Sequence, residues 1–241
     1  MSGTLYGVGL GPGDQDLMSV RADRLVRGAR HVAYFRKAGR PGQARRLVEG
    51  MLAEDAIELP MEYPVTTEIP VGTAAYNACL RSFYEDATER LKALLDAGDD
   101  VVVLCEGDPF FYGSFMHLYT RLSGDRPVEV VPGITGMSAA WTATGRPVTW
   151  GDDIMTVLMG TLPEETLSKQ MVRTDALVVM KLGRNLEKVK RALRAANRFE
   201  AAYLIEHAAM AEERVTRLAD AGDCPAPYFS IIVVHGNGRR P

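Results

Sequence analysis

The chain has 241 residues, of which 46% are hydrophobic and 24% are charged, and its formal net charge is -3. This composition is ordinary for a globular protein, and the length allows two modest domains. The lack of a basic excess argues against a nucleic-acid-binding protein, and no apolar run is long enough to span a bilayer or to form the core of a signal peptide. We therefore expect a cytoplasmic protein with neither nucleic-acid nor membrane partners.

Short apolar runs alternate with helical patterns along the first half of the chain. Strands are predicted near residues 4–9, 30–35, 56–60, 101–105 and 127–131, and helices near residues 16–28, 42–52, 72–97 and 113–122. Residues at helical spacing support the long helix, namely Ala75, Cys79, Phe83, Ala87, Leu91, Leu94 and Leu95. Gly98 follows them as a stop. Strands that alternate with helices predict a mainly parallel sheet.

The second half begins after Pro132-Gly133 with a small-residue helix from Thr135 to Thr144. Strands are predicted near residues 154–160, 175–181, 201–206 and 228–235, and helices near residues 164–171 and 185–197. Because the last strands follow each other closely, this sheet is predicted to be mixed. The fold class is therefore α/β with two domains, residues 1–134 and 135–241.

Two glycine-rich turns follow predicted strands, at residues 9–14 (GLGPGD) and 106–109 (EGDP). Parallel sheets bind ligands at the carboxyl ends of their strands, where glycine lets a ligand approach the backbone. Each turn alone could be a simple connection. Neither GxGxxG nor GxxxxGK[ST] is present, and the carboxylates of Asp14, Glu106 and Asp108 would repel a phosphate. The pair instead favours a ligand that carries positive charge or hydrogen-bond donors.

The cysteines and histidines do not have the spacing of a metal site. Cys79, Cys105 and Cys224 are far apart and form no CxxC pair, so we expect reduced thiols rather than disulfides. The four histidines show neither HxH nor HxxxH spacing. We therefore predict no metal site.

Five stretches together resemble the S-adenosylmethionine-dependent tetrapyrrole (precorrin) methyltransferase family. They are GVGLGPGD (7–14), LCEGDPFFYGSF (104–115), VEVVPGITGMSAA (128–140), GRPVTWGDD (145–153) and VVMKLGRN (178–185). They occur in the family's order and span most of the chain. The resemblance implies two α/β domains with the cofactor in a cleft between them, and a homodimer.

The resemblance also implies an activity, which is methyl transfer from S-adenosylmethionine to a tetrapyrrole, leaving S-adenosylhomocysteine. The EGDPFFYGSF phrase and the GDD after the proline point to the subgroup that methylates carbon 20 of precorrin-2. Relatives that catalyse the first C-methylations carry an aspartate where this chain has Phe35, which argues against that earlier step. Alternatives are methylation of another ring position, methylation of a protein side chain as in diphthine synthase, or a non-catalytic tetrapyrrole or nucleotide carrier.

Cofactor contacts follow from the resemblance position by position. Nine residues match the family's cofactor positions: Pro12, Glu106, Gly107, Asp108, Phe111, Thr135, Gly136, Leu182 and Ala208. Pro12 and Phe111 would lie against the cofactor, and the turn at 106–108 would receive its amino-acid end. The assignments of Leu182 and Ala208 depend most on how the chain is aligned with the family, because a shift of one residue would move them.

Substrate contacts are expected in the basic stretch that begins at the end of the second predicted strand. Such charge runs are usually solvated loops, but the carboxylates that fringe a corrinoid precursor require cations around an apolar floor. The candidates are Tyr34, Arg36, Lys37, Arg40 and Arg184, with Tyr112, Met137 and Trp141 as further cleft residues. Loss of the ring proton after methylation could use Glu106, Tyr112 or water, and Glu106 is our hypothesis for the base.

Overall fold

The computed structural model describes residues 2–65, 73–222 and 226–238. Two compact units are present, Met1–Thr135 and Gly136–Pro241. Cys224 lies outside the described residues, as does residue 72, where the long helix was predicted to begin.

The first unit is built on a five-stranded sheet in the order β3-β2-β4-β1-β5. Its strands are β1 (Leu5–Gly9), β2 (His31–Lys37), β3 (Ile57–Tyr63), β4 (Val101–Cys105) and β5 (Val128–Val131). Its helices are α1 (Val20–Gly28), α2 (Gln43–Leu47), α3 (Ala74–Ala97) and α4 (Phe115–Leu122). Every strand pair is parallel, which confirms the prediction for this sheet.

Two of the helices predicted in this unit are shorter in the structure. The segment predicted as one helix over 16–28 is a 3-10 turn at Gln15–Leu17 followed by α1, because the Ser19 side chain caps α1 by accepting from Ala22 N at 3.1 Å. Helix α2 ends at Leu47 instead of continuing to residue 52. Gly50 there has a left-handed φ of 75°, which cannot continue a right-handed helix.

Helix α3 ends as predicted, at a left-handed Gly98 with φ 92°. Its buried face consists of Tyr84, Ala87, Thr88, Leu91 and Leu95. Ala75, which was predicted to belong to the apolar stripe, is exposed. The first part of the helix therefore extends beyond the core of this unit.

The second unit has a five-stranded sheet in the order β6-β7-β10-β8-β9. Its strands are β6 (Met155–Met159), β7 (Ala176–Met180), β8 (Ala202–Glu206), β9 (Arg214–Arg217) and β10 (Ser230–Val234), and its helices are α5 (Gly136–Ala143), α6 (Glu164–Val172) and α7 (Leu186–Ala195). Among the described strands of this second sheet, β6 and β7 pair in parallel and the other pairs are antiparallel, which confirms a mixed sheet. Strand β9 was not predicted, because a short charged edge strand lacks the apolar signal of a buried one.

Each sheet is covered on both faces by apolar side chains. In the first unit, Val103 and Cys105 pack with α3 and α4, whereas Val102 and Leu104 pack with α1 and α2. In the second unit, Val179 belongs to the larger cluster with α6 and α7, and Val178 belongs to a smaller one with α5. No helix in the described part of the chain is long and apolar enough to cross a membrane.

Candidate active site

The two glycine-rich turns contact each other directly at the carboxyl edge of the first sheet. Strand β1 lies between β4 and β5, so the ends of all three strands are adjacent. Gly11 N donates to Gly107 O at 3.3 Å, and Gly107 N donates to Gly11 O at 2.8 Å. These two bonds join the turns into one backbone surface.

The turn after β5 contributes a third glycine to this surface. A Cβ atom on Gly133 would lie 2.1 Å from Gly107 O, and one on Gly9 would lie 2.6 Å from Gly133 N. Gly11 and Gly107 also have left-handed φ angles of 79° and 64°. Close backbone approach and backbone conformation therefore both require glycine here.

The aspartates of the two turns have structural hydrogen bonds. Asp108 accepts from Phe110 N at 2.9 Å through Oδ1 and from Gly133 N at 3.0 Å through Oδ2, and Asp14 caps the 3-10 turn by accepting from Asp16 N. Each carboxylate oxygen has two lone pairs, so Asp108 retains acceptor capacity for a ligand.

Glu106 has a different environment from the aspartates. The residue is partly exposed, but its carboxyl group is surrounded by protein, and burial raises its pKa to about 7. A hydrogen bond from Ala44 N to Oε1, at 3.1 Å, stabilises the charged form and opposes that effect. A carboxyl group with a pKa near neutrality can accept or donate a proton at physiological pH.

Aromatic and proline side chains flank the second turn and part of the first. Phe111 and Tyr112 pack edge to face with ring centroids 4.9 Å apart, and Tyr112 is 46% exposed. Tyr112 also has a left-handed φ of 56°, which is uncommon for a residue with a side chain. Pro12 is buried within the first turn.

Part of the basic stretch is paired with acidic residues of β3. Tyr34 is buried, and its hydroxyl donates to Glu58 Oε2 at 2.8 Å. Arg36 pairs with Glu62 at 2.6 Å, whereas Arg40 lies on an exposed turn in which its N–H donates to Lys37 O. Tyr34 and Arg36 are therefore engaged within the protein, although both were predicted to contact substrate.

Phe35 lies on the opposite face of β2 from Tyr34. It stacks on Tyr63 at 5.5 Å between ring centroids and contacts Phe83 and Tyr84 of α3 at 6.2 and 6.1 Å. The position where relatives of the first methylation steps carry an aspartate is thus part of an aromatic cluster in this chain. A carboxylate there would lose its hydration among aromatic rings.

Six of the predicted site residues lie in the second unit, and two of them, Met137 and Trp141, are partly buried against the smaller apolar cluster. Gly136 begins α5, Ala208 packs against the apolar cluster that α5 covers, and Leu182 is fully buried in the larger cluster. Arg184 is exposed in a 3-10 turn. Three residues with left-handed φ angles adjoin Leu182 and Ala208, namely Lys181 (54°), His207 (53°) and Ala209 (59°). Such backbone outliers are frequent at functional sites.

Asp153, the last residue of the GDD phrase, has a structural role in the second unit. It accepts from Trp150 N at 2.8 Å and from Gly238 N at 3.3 Å. A Cβ atom on Gly236 would lie 2.0 Å from its Oδ2. The carboxylate therefore binds its own loop to the segment that follows β10.

Sequence reasoning missed the residues that act on Glu106 from outside its turn. The residue seen to do so is Ala44, whose backbone N–H donates to Glu106 Oε1. The next residue, Arg45, donates through Nε and Nη2 to the carboxylate of Glu58 at 2.9 and 2.8 Å. A glutamate on an edge strand gives no motif. Among the described residues, no group of three or more His, Cys, Asp or Glu could hold a metal ion.

Comparison with known proteins gives consistent matches. The family model described as Tetrapyrrole (Corrin/Porphyrin) Methylases matches residues 4–221. A precorrin-2 C(20)-methyltransferase from Sinorhizobium sp is 48% identical, over 99% of this chain and 98% of its own length. A cobalt-precorrin-2 C(20)-methyltransferase from Salmonella typhimurium is 28% identical, over 98% and 97%.

Solved structures share the fold across nearly the whole chain. Cobalt precorrin-4 methyltransferase CbiF aligns with a TM-score of 0.74 at 22% identity, over 96% of this chain and 94% of its own. Uroporphyrin-III C-methyl transferase from Thermus thermophilus, complexed with S-adenyl homocysteine, aligns with a TM-score of 0.63 at 22% identity, over 97% of both chains.

Proposed function

The chain belongs to the tetrapyrrole methylase family, and from this premise we propose that it transfers a methyl group to carbon 20 of precorrin-2, giving precorrin-3A in cobalamin biosynthesis. The observation that carries the proposal is the 48% identity, over nearly the full length of both chains, to a precorrin-2 C(20)-methyltransferase. The paired turns at the carboxyl edge of the first sheet support the proposal as a candidate cofactor surface.

The residues of the first unit fit S-adenosylmethionine as the methyl donor. When bound, that molecule supplies a methyl group already activated by a positively charged sulfur. Gly107 has no Cβ, which lets a ligand approach the backbone that Gly107 and Gly11 form together, and the carboxylates of Glu106 and Asp108 suit a cationic partner better than a phosphate. The proposed cofactor contacts therefore include Glu106, Gly107 and Asp108. The others are Pro12, Phe111, Thr135, Gly136, Leu182 and Ala208.

The protein mainly orients the reactants and excludes water, because the methyl group needs no nucleophilic side chain. The ring carbon that gains the methyl group must lose a proton. Glu106 is the proposed acceptor, since burial raises its pKa to about 7 and so brings it close to the pH at which it would act. Tyr112 is the second candidate to contact the reacting ring.

Cations around the site would bind the carboxylates of the tetrapyrrole. Lys37, Arg40 and Arg184 are proposed for this role, and Arg36 joins them only if the substrate displaces Glu62. Tyr34 is buried, so we propose that its role is to hold Glu58 in place through the hydrogen bond from its hydroxyl group. As the family resemblance implies, the active form is proposed to be a homodimer in the cytoplasm. Light scattering after size-exclusion chromatography measures the mass of the particle and so tests the dimer.

A second candidate substrate is cobalt-precorrin-2, on which the Salmonella relative acts. Identity to that protein is 28%, against 48% for the precorrin-2 C(20)-methyltransferase from Sinorhizobium sp, which favours precorrin-2 as the substrate. Methylation of another ring position on the same fold is the remaining alternative within the family.

The test uses S-adenosylmethionine with a 13C-labelled methyl group. We expect the full-length protein to transfer the label to carbon 20 of precorrin-2, as located by NMR, and to act more slowly on cobalt-precorrin-2. A label on a different carbon would contradict the ring position, and binding of both compounds without transfer would indicate a carrier. A faster reaction with the cobalt compound would reverse the choice of substrate.

A further inference from the structure

Helix α2 connects the candidate base to an ion pair on the edge of the sheet. Ala44, in its first turn, donates its N–H to Glu106 Oε1 at 3.1 Å. The next residue, Arg45, donates to both carboxylate oxygens of Glu58 on β3, at 2.9 and 2.8 Å. Adjacent residues of one short helix therefore contact the proposed base and the edge strand.

Helix α2 has five residues and is held by tertiary contacts, which are the burial of Ala44, a hydrogen bond from Gln15 Nε2 to Leu47 O at 2.9 Å, and the Arg45–Glu58 ion pair. An isolated helix of this length is not stable by itself, because too few hydrogen bonds offset the cost of nucleation. The Arg45–Glu58 contact is bidentate, and Tyr34 OH donates to the same carboxylate at 2.8 Å. The hydrogen bond from Arg45 holds the pKa of Glu58 below its usual range, so this pair stays charged at neutral pH.

The Ala44 N–H is the hydrogen-bond donor that lowers the pKa of Glu106. The ionisable groups on the surrounding elements are Cys105 on β4, Asp108 in the same turn, Arg45 and Arg46 on α2, and Asp14 in the first turn. Within the described part of the chain, the pKa of Glu106 is raised by burial and lowered by the hydrogen bond from Ala44 N–H, not by the charges of these groups. Movement of α2 would therefore change the one contact that favours the charged carboxylate.

We propose that Glu58 and Arg45 are positioning residues for Glu106: their ion pair fixes α2 so that Ala44 N–H meets the carboxylate, and this sets the pH at which Glu106 exchanges its proton. The inference rests on the proposed function for the role of Glu106 as base. The hydrogen bond itself, and its effect on the titration of Glu106, do not depend on the identity of the substrate.

The experiment compares Arg45→Met with Arg126→Met in the full-length protein. Arg126 makes a similar bidentate contact, with Asp96 of α3 at 2.8 and 3.2 Å, and is a matched control in the same unit. Titration of glutamate carboxyl groups labelled with 13C is followed by NMR, with Glu106 assigned by the signal lost in Glu106→Gln. The pH profile of kcat/KM for methyl transfer is measured in parallel.

In Arg45→Met we expect the pKa of Glu106 to rise by about one unit, the size of a lost hydrogen bond to a charged group. The acidic limb of the kcat/KM profile should move to higher pH by the same amount, because a base acts only when it is deprotonated, and Arg126→Met should move neither. An unchanged Glu106 titration in Arg45→Met, or an equal shift in both variants, would overturn the proposal. If Arg45→Met does not fold, Glu58→Gln provides the same comparison. Because the NMR titration needs no substrate, it stands even if methyl transfer to precorrin-2 fails.

Discussion

Among the carboxylates of the two paired turns, Glu106 has the most unusual environment. Its carboxyl group is surrounded by protein, and Ala44 N donates a hydrogen bond to it. The neighbouring Asp108 instead has two backbone donors, Phe110 N and Gly133 N. Two carboxylates separated by one glycine therefore lie in different environments, and the proposed role of Glu106 as proton acceptor rests on that difference. The sequence placed both at the site but could not assign these environments, which depend on residues far away in the chain.

The burial of Glu106 predicts a pH dependence of stability. Its pKa is raised in the folded state, so the unfolded chain releases the proton first, and stability should fall as pH rises from about 4.5 to about 7 and then level off. Glu106→Gln removes this loss. Across that range we expect the variant to gain on the order of 2–3 kcal/mol relative to the parent, measured by urea denaturation at several pH values.

The matched control is Glu85→Gln, at an exposed position on α3. Its stability difference from the parent should stay nearly constant over the same pH range. If the Glu106→Gln difference were equally constant, the carboxyl would titrate like an exposed one, and its assignment as a base poised near neutrality would be lost.

At the scale of elements, local signals located most helices and strands, whereas their exact ends depended on caps and turns. Helix α3 ends at Gly98 as predicted, and α1 begins later than predicted because Ser19 caps it. Helix α2 ends earlier, and β9 was missed. Apolar periodicity extends across a turn without interruption, so it cannot by itself show where a backbone leaves the helical path.

Two glycines at helix ends should respond to alanine in opposite ways. Gly98 has φ 92°, which is strained for alanine, so Gly98→Ala should destabilise the protein by roughly 1 kcal/mol. Gly28, the last residue of α1, lacks a positive φ, and a Cβ there would meet nothing within 4 Å. Gly28→Ala should stabilise by about 0.5–1 kcal/mol, because it reduces the freedom of the unfolded chain. Thermal unfolding of both variants measures the difference, and equal shifts would contradict the left-handed conformation at Gly98.

At the scale of the molecule, each of the two units has its own sheet and its own buried clusters. The parallel sheet of the first unit provides the adjacent strand ends on which the paired turns lie. In the second unit, the proposed contacts Leu182 and Ala208 follow the ends of β7 and β8, beside residues with left-handed backbone. Both sheet types were predicted from the spacing of strands and helices.

Separate cores predict that a cavity in one unit affects mainly that unit. Leu193 of the second unit and Leu95 of the first are both fully buried. Leu193→Ala and Leu95→Ala should each cost about 2–5 kcal/mol. Hydrogen exchange measured by mass spectrometry should show faster exchange in residues 136–241 for the former and in residues 1–135 for the latter. If both variants showed faster exchange in the same residues of both units, the two units would unfold together.

The sequence by itself determined the α/β class, both sheet types, the glycine-rich turns at strand ends and the family resemblance. These follow from residues that are close together in the chain, because periodicity and turn chemistry are local. Only the tertiary structure brought Gly133 against Gly107, Ala44 N–H to Glu106, and Arg45 to Glu58. Such contacts join segments that are distant in sequence, and packing rather than any local pattern decides which of them meet. The environment of Glu106, and with it the pH at which that residue can act, therefore belongs to the fold.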